Sequence, residues 1–209
     1  MSILKAEKSR ANYHHGNLER ALIAAATEMI RESGVEHISL RAVAAQVGVS
    51  PSAAYHYFPD KDALISGVGV ALFDLLADRQ EEAMAAFPGD GADAVLARFR
   101  ALGRAYFEWG NTESNLFRLM FGVFCSLDQG QTLAARDESR AWKLLQGSLD
   151  DLATIGVINP ALRPYGEILA WSAVHGATSL IIEGHLPEGA FESVLDAIEI
   201  SLGVVKQGE

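Results

Sequence analysis

The sequence has few of the features that mark secreted or membrane-embedded proteins. It contains a single cysteine, Cys125, which excludes an intramolecular disulfide framework and is typical of a reducing cytoplasm. It has no run of 18 apolar residues, and its first residues lack the hydrophobic segment of a signal peptide. We therefore expect a cytoplasmic protein that does not enter a membrane.

Motifs of enzymatic chemistry are also missing. The sequence has no glycine-rich phosphate loop, no nucleophile elbow and no histidine or cysteine set at metal-ligand spacing. His175 and His185 lie too far apart in sequence for one helix face to offer both to a metal. We expect no catalytic residues, no metal and no cofactor. Cys125 lies in an apolar stretch, where it is either inert filler or a redox-sensing thiol.

Negative charge dominates, but it is unevenly distributed. The chain has 17 Lys and Arg against 27 Asp and Glu, for a net charge of −10. Residues 1–61 hold seven basic and six acidic residues, so the remainder holds ten basic and 21 acidic. This asymmetry assigns any phosphate-facing surface to the N-terminal part. If residues 1–61 bind nucleic acid, their near-neutral charge predicts weak non-specific binding, because phosphate neutralisation supplies most of that affinity.

Residues 39–57 have the pattern of two short helices joined by a tight turn. The apolar residues of segment 40–47 recur at helical spacing, and a serine that can cap the helix precedes them. Gly48 supplies the permissive backbone of the turn, and Ser50-Pro51 is a typical helix start. Such a helix-turn-helix inserts its second helix into the DNA major groove.

Residues 13–65 resemble the N-terminal domain of the TetR family of bacterial transcriptional regulators. They read YHHGNLERALIAAATEMIRESGVEHISLRAVAAQVGVSPSAAYHYFPDKDALI, with the VGVS turn and the Tyr-x-Tyr-Phe-x-x-Lys ending. The resemblance implies an all-α protein with a three-helix DNA-binding domain at residues 1–60 and a helical ligand-binding and dimerisation bundle at 61–209. It also implies a homodimer whose partner is double-stranded operator DNA.

The positions expected to contact DNA lie in and around the two helices of the motif. They are Ser39, Arg41, Ser50, Pro51, Ser52, Ala53, Tyr55, Tyr57 and Lys61. The alternative for the two tyrosines is a place in the core, which is our expectation for Phe58.

Periodicity and breakers divide the rest of the chain into helices. Residues 1–12 are expected to form a flexible arm. The predicted helices cover residues 17–33, 60–87, 92–109, 115–124, 131–155, 164–183 and 187–205. We call the predicted DNA-binding domain, residues 1–60, the reader and the predicted helical bundle, residues 61–209, the body. Gly67 and Gly69 weaken the helix that joins the reader to the body, where they serve either close packing or a hinge.

Aromatic residues concentrate in the middle helices. Core packing is one explanation, and an apolar ligand pocket closed by a few polar groups is the other. Trp171, His175 and Gly176 resemble the Trp…His-Gly signature of one C-terminal domain type among these regulators. His175 is either a ligand contact or a buried histidine bonded to the backbone. The candidate ligand-binding residues are Phe99, Tyr106, Phe121, Phe124, Trp142, Trp171 and His175.

The last two helices carry small residues and an apolar stripe. In the resembled family such helices form a four-helix dimer interface, although a stripe can equally pack within its own chain. The candidate interface residues are Ala173, Gly176, Ala177, Leu180, Phe191, Val194, Leu195, Ile198 and Leu202.

These expectations together describe a repressor that a small apolar molecule releases from a palindromic operator. Two alternatives stay open: a DNA-binding regulator without a ligand, and a helical small-molecule enzyme or carrier. If a metabolite abolishes operator binding, a regulator without a ligand is excluded. Specific binding to palindromic DNA would exclude the enzyme or carrier.

Overall fold

The computed structural model describes the backbone of residues 3–123 and 138–204 and the side chains of residues 18–121 and 138–204. Within these residues every regular element is helical, which confirms the all-α prediction. The α-helices are α1 (Ile3–Ser33), α2 (Leu40–Val47), α3 (Pro51–Tyr57), α4 (Lys61–Ala85), α5 (Ala92–Thr112), α6 (Ser114–Arg118), α7 (Arg140–Thr154), α8 (Gly166–Ile182) and α9 (Ala190–Ser201). The 3-10 helices Val35–His37 and Pro160–Tyr165 and the π-turn Leu119–Val123 connect some of them.

Local side-chain bonds fix the starts of the two reader helices. Ser39 Oγ accepts from the backbone N–H of Ala42 at 3.2 Å, and Ser50 Oγ accepts from that of Ala53 at 3.3 Å. Each bond satisfies an N–H of the first turn that has no partner inside the helix. Gly48 ends α2 with φ of 78°, a left-handed conformation that side-chain-bearing residues disfavour. The helix-turn-helix predicted from the sequence is therefore present.

The first helix is longer than predicted. It begins at Ile3 instead of Asn17, so the segment expected to be a flexible arm has a helical backbone. Residues 3–15 contain no proline and include several strong helix formers, which explains the continuation.

Helix α5 also exceeds its predicted length, because it passes through Gly110 and ends at Thr112. A Cβ at Gly110 would lie only 2.7 Å from Cγ2 of Thr178 and 2.8 Å from Cδ2 of Phe117. The glycine therefore permits close helix packing at this point and does not break the helix.

The segment predicted at residues 115–124 forms two pieces. The short helix α6 is followed directly by the π-turn Leu119–Val123. Residues 124–137 lie outside the described part of the chain, and with them Phe124, Cys125 and the predicted start of the next helix.

Helix α4 joins the two parts of the molecule. Its reader end packs on α1, and its remainder packs on α5 and α7. A Cβ at Gly67 would approach Cε1 of Phe58 to 3.2 Å and Cδ1 of Ile23 to 3.4 Å. This contact supports close packing as the role of Gly67. The body is completed by α8, which packs on α5, and by α9, which packs on α8.

An ion network fastens α9 to α5. Arg100 donates to Asp196 at 2.9 Å and to Glu199 at 2.5 Å, and Arg104 donates to both carboxylate oxygens of Glu192 at 2.6 and 2.7 Å. The hydrogen bonds from Arg104, joined by one from Arg100, lower the pKa of Glu192 to about 2. The network orients the apolar stripe of α9 toward the interior of its own protomer.

Candidate DNA interface and internal cavity

The exposed side of α3 forms the centre of the candidate DNA interface. Pro51 and Ser52 are exposed at its start, and the Tyr55 side chain is 44% exposed one turn later. Ala54 faces the other way and is fully buried against the reader core. Because the exposed residues at the helix start are small, the backbone of this end can approach base edges closely.

The other residues expected at DNA lie around α3. Ser39, Arg41 and Ser50 are exposed, whereas Ala53, Tyr57 and Lys61 are half-buried. The structure therefore brings all nine candidates to the region of the two reader helices with at least part of each side chain accessible. Phe58, at 5% exposure, occupies the core as expected.

Lys61 is held by the protein itself. Its Nζ donates to the carbonyl oxygen of Val35 at 2.9 Å, across the connection between α1 and α2. An ammonium has three N–H groups, so two others can still meet a phosphate. The next residue toward the N-terminus, Asp60, caps α4 by accepting from the N–H of Ala63 at 2.8 Å.

An apolar cavity lies inside the body. The empty space there measures about 650 Å³ when the open solvent at its mouth is counted. Side chains from α4, α5, the π-turn, α7, α8 and α9 surround it. The lining residues are Phe73, Leu76, Gln80, Phe99, Leu102, Gly103, Tyr106, Phe121, Ser139, Ala141, Trp142, Leu145, Ala170, Trp171, Val174, Leu195 and Ile198.

Most aromatic residues singled out in the sequence meet at this cavity. Phe99, Tyr106, Phe121, Trp142 and Trp171 all line it. The Trp142 and Trp171 rings meet edge to face with centroids 6.1 Å apart. Phe124, which the sequence also predicts here, lies outside the described residues.

His175 is in contact with the cavity wall without lining the cavity. Its Nδ1 lies 2.9 Å from the hydroxyl of Tyr106, and its ring stands 4.5 Å from that of Phe121. The Trp171 ring also lies beside this pair, with its centroid 5.7 Å from that of His175. When Nδ1 of His175 carries no proton, the Tyr106 hydroxyl donates to it. His175 thus positions Tyr106, and its partner is a side chain instead of the backbone carbonyl considered above.

Burial keeps both members of the Tyr106–His175 pair neutral. It raises the pKa of Tyr106 well above its ordinary value of 10, and it lowers the pKa of His175 below 6.5. Desolvation disfavours the charged form of each group, which is the phenolate of one and the imidazolium of the other.

Gln80 is one of the cavity residues that sequence reasoning missed, and its side chain is polar. Its side chain is 3% exposed and lines the cavity from α4. The signal is present in the sequence, because Gln80 continues the four-residue spacing of the buried residues Leu72 and Leu76. A polar residue on an apolar stripe points to a role in the interior.

The expected interface residues divide into two groups. Phe191, Leu195, Ile198 and Leu202 are 3% exposed or less, and Leu195 and Ile198 line the cavity. In the described structure these residues pack within their own protomer, which is the intramolecular alternative that the sequence left open. Ala177 is likewise buried, at 6%. Ala173, Gly176 and Val194 are half-buried and Leu180 is exposed, so these four stay accessible to a partner.

The described residues contain no group of three or more His, Cys, Asp or Glu side chains placed to hold a metal ion. None of their helices is both long and apolar enough to cross a membrane.

Comparison with known proteins agrees with this geometry. The model of bacterial regulatory proteins of the tetR family matches residues 22–68, and that of the tetracyclin repressor-like C-terminal domain matches residues 99–202. No curated protein sequence matches the chain.

Solved structures share the fold over nearly the whole chain. A protein of unknown function from Rhodococcus sp. RHA1 is 27% identical with a TM-score of 0.74, covering 93% of this chain and 98% of its own. A TetR family transcription regulator from Marinobacter aquaeolei VT8 is 20% identical, with a TM-score of 0.61 and coverages of 91% and 98%. The regulator FadR from Bacillus subtilis, solved with stearoyl-CoA, is 17% identical, with a TM-score of 0.68 and coverages of 86% and 96%.

An exposed helix-turn-helix carried by a helical body defines a DNA-binding transcriptional regulator. The two family matches cover separate, successive parts of the chain, one in the reader and one in the body. The chain belongs to the TetR family.

Proposed function

We propose that the protein is a homodimeric repressor that a small, largely apolar molecule releases from a palindromic operator. The observation that carries the proposal is the internal cavity, because it is apolar and is lined by Phe121 of the π-turn, which directly follows the reader-contacting helix α6. A ligand in this cavity is therefore in contact with a segment that leads directly to the reader.

Operator recognition in this proposal rests on two copies of α3. In a two-fold dimer, the two helices enter major grooves about one helical turn of DNA apart or a multiple of it, roughly 34–36 Å per turn. The operator is then an imperfect palindrome. Arg41 and the exposed end of α3 read bases, while Tyr55, Tyr57 and Lys61 hold sugar and phosphate. A protein that binds operator DNA works in the cytoplasm, because bacterial DNA lies there.

The outer faces of α8 and α9 are the proposed dimer interface. On α8, Ile168 is 59% exposed and Leu180 is 41% exposed, and both belong to one ridge of four-residue spacing. Gly176 lies on the same ridge, and no atom comes within 4 Å of where its Cβ would be. Ile200 on α9 is 78% exposed. Exposed apolar residues around an open glycine allow a second helix pair to approach closely.

The ligand class is suggested by the cavity lining and by one relative. FadR from Bacillus subtilis is solved with stearoyl-CoA, a molecule with a long apolar chain. The aromatic and aliphatic lining here favours an apolar ligand body of the same general character.

The experiment is a footprint followed by a displacement titration. Protection of the promoter upstream of the protein's own gene should reveal a palindrome, and the purified protein should bind it with a steep dependence on salt. Apolar metabolites are then added to the complex in fluorescence anisotropy. Absence of a protected palindrome would contradict the repressor assignment, and insensitivity of the complex to every apolar ligand that binds the cavity would contradict ligand release.

A further inference from the structure

Gln80 carries a buried carbonyl oxygen without a partner at the wall of the cavity. The side chain is 3% exposed, and within the described residues Oε1 has no hydrogen-bond partner. Two other buried side-chain atoms share this condition, Trp109 Nε1 and Ser148 Oγ, but neither residue lines the cavity. A buried acceptor without a donor costs free energy, so its presence beside an internal space indicates a donor that arrives with a ligand.

The orientation of the Gln80 amide follows from its other contact. Nε2 donates to the carbonyl oxygen of Leu102 on α5 at 3.4 Å. A backbone carbonyl can only accept, so the NH2 end must face Leu102 and the oxygen must be the end without a partner. The amide therefore offers an acceptor, and the complementary ligand group is an O–H or N–H.

The described lining residues of the cavity contain no charged side chain. Arg140, which follows the lining residue Ser139, is already paired with Asp78 at 2.9 Å and Glu81 at 2.7 Å. Arg104, next to Gly103, is paired with Glu192. A ligand charge placed inside would find no ionic partner among the described lining residues, which is unfavourable in an apolar space.

The second polar group of the wall is already satisfied. The Tyr106 hydroxyl already has a hydrogen-bond partner in Nδ1 of His175 at 2.9 Å. Oε1 of Gln80 has none among the described residues, so a ligand donor satisfies an atom there that is otherwise unpaired.

We propose that the effector is an electrically neutral, largely apolar molecule with one hydroxyl or amide N–H group, which donates to Oε1 of Gln80. This inference rests on the proposed function, since it names the ligand class of the same cavity. The described lining residues offer no ionic partner to a free carboxylate or amine as the buried part of the ligand. Alcohols, phenols and amides on an apolar skeleton are the classes that fit.

The test uses matched probes and tryptophan emission of the full chain. One series is 1-decanol, methyl decyl ether and decanoate, and the other is 1-naphthol, 1-methoxynaphthalene and 1-naphthoate. Trp142 and Trp171 line the cavity and report occupancy without DNA. In at least one series the neutral donor should bind about tenfold more tightly than its ether, the usual effect of one satisfied hydrogen bond. The carboxylate should bind more weakly than both.

Gln80→Leu should remove the preference for the donor over its ether while keeping the cavity apolar. The melting temperature of the ligand-free variant should be equal to or above that of the parent, because an unsatisfied polar atom is lost. Gln146→Leu is the matched control, since Gln146 lies on α7 and does not line the cavity.

Equal affinity for donor and ether in both series, tighter binding of the carboxylates, or no binding of any probe would each overturn the proposal. So would an unchanged preference in Gln80→Leu. Failure of this inference is distinguishable from failure of the proposed function. If neutral donors bind through Gln80 but leave operator affinity unchanged, the inference holds and ligand release fails. If only a charged ligand displaces operator, ligand release holds and the inference about Gln80 fails.

Discussion

Nε of Arg31 donates to Oε2 of Glu113 at 2.8 Å and so joins the last turn of α1 to the residue between α5 and α6. Asn115 strengthens this junction, because its Nδ2 donates to the carbonyl oxygen of Arg31 at 3.0 Å. Arg31 also pairs with Glu28 on its own helix. The reader is thus held to the body at a second point besides the covalent connection through α4.

This junction lies one short helix away from the cavity. Helix α6 continues into the π-turn that carries Phe121, and the Phe121 ring lines the cavity and stands 4.5 Å from the ring of His175. A ligand that displaces Phe121 therefore acts on α6 and, through it, on α1. Coupling of this kind requires different ligand affinities in the two arrangements of the reader.

Glu113→Ala should reduce the coupling between ligand and operator. Without the Arg31–Glu113 bond, the factor by which a ligand weakens operator binding should fall several-fold, while the free energy of unfolding should change by only about 1 kcal/mol, since both side chains are partly exposed. The measurement is operator affinity by anisotropy with and without ligand. Glu82→Ala is the control, because its pair with Arg79 is exposed and confined to α4. An unchanged coupling factor in Glu113→Ala would remove this junction from the pathway.

Arg41→Ala and Tyr55→Phe should weaken operator binding and leave the melting temperature nearly unchanged. Both side chains are exposed on the reader, and loss of a bidentate base contact costs about 1–3 kcal/mol. Loss of a phosphate contact costs less but makes the salt dependence shallower. Arg79→Ala supplies the same charge change on the body. Two variants that bind operator like the parent over a salt series would show that these side chains do not contact DNA.

Ile198→Asp and Ile200→Asp form a matched pair that locates the dimer interface. Ile198 is 2% exposed in its own protomer, so an aspartate there should destabilise the fold by several kcal/mol. Ile200 is 78% exposed, and an aspartate there should separate a folded dimer into monomers with much weaker operator binding. Light scattering and thermal melts distinguish the two results. A folded Ile200→Asp protein that is still dimeric would place the interface elsewhere.

The stability of the protein should decrease as the pH falls below about 6.5 because of His175. Burial lowers the pKa of His175 in the native state, so in this window the unfolded chain takes up a proton that the native state excludes. The unfolding free energy then decreases until the pH reaches the native pKa. His175→Gln should flatten this slope in urea titrations, whereas His185→Gln, a change at an exposed histidine, is the control. An identical slope in His175→Gln and the parent would contradict a buried neutral imidazole.

Local signals predicted the helix-turn-helix accurately because its determinants are local. Ser39, Gly48 and Ser50-Pro51 each fix a helix end through their own backbone preferences or cap bonds, and neighbours along the chain are enough to reveal them. The same reasoning placed five aromatic residues at the cavity, since bulky rings at helical spacing on several helices tend to meet inside a bundle.

Other differences from the sequence prediction arise where long-range packing decides. The α9 stripe shows which residues avoid water, but only the packing against α5 shows that Ile198 faces its own protomer. Gly110 resembles a helix end in the sequence and is instead a close contact with Thr178. Gln80 was not predicted at the cavity because the apolar stripe of α4 was defined by its apolar residues alone.

The most direct test is a linkage titration between ligand and operator. The affinity of the tightest-binding neutral probe is measured by tryptophan emission of the free dimer and of the dimer saturated with operator DNA. The account predicts that operator weakens probe binding by about 5- to 150-fold, and that the probe weakens operator binding by the same factor. Equal probe affinity in the presence and absence of operator would contradict it, however tightly the probe binds.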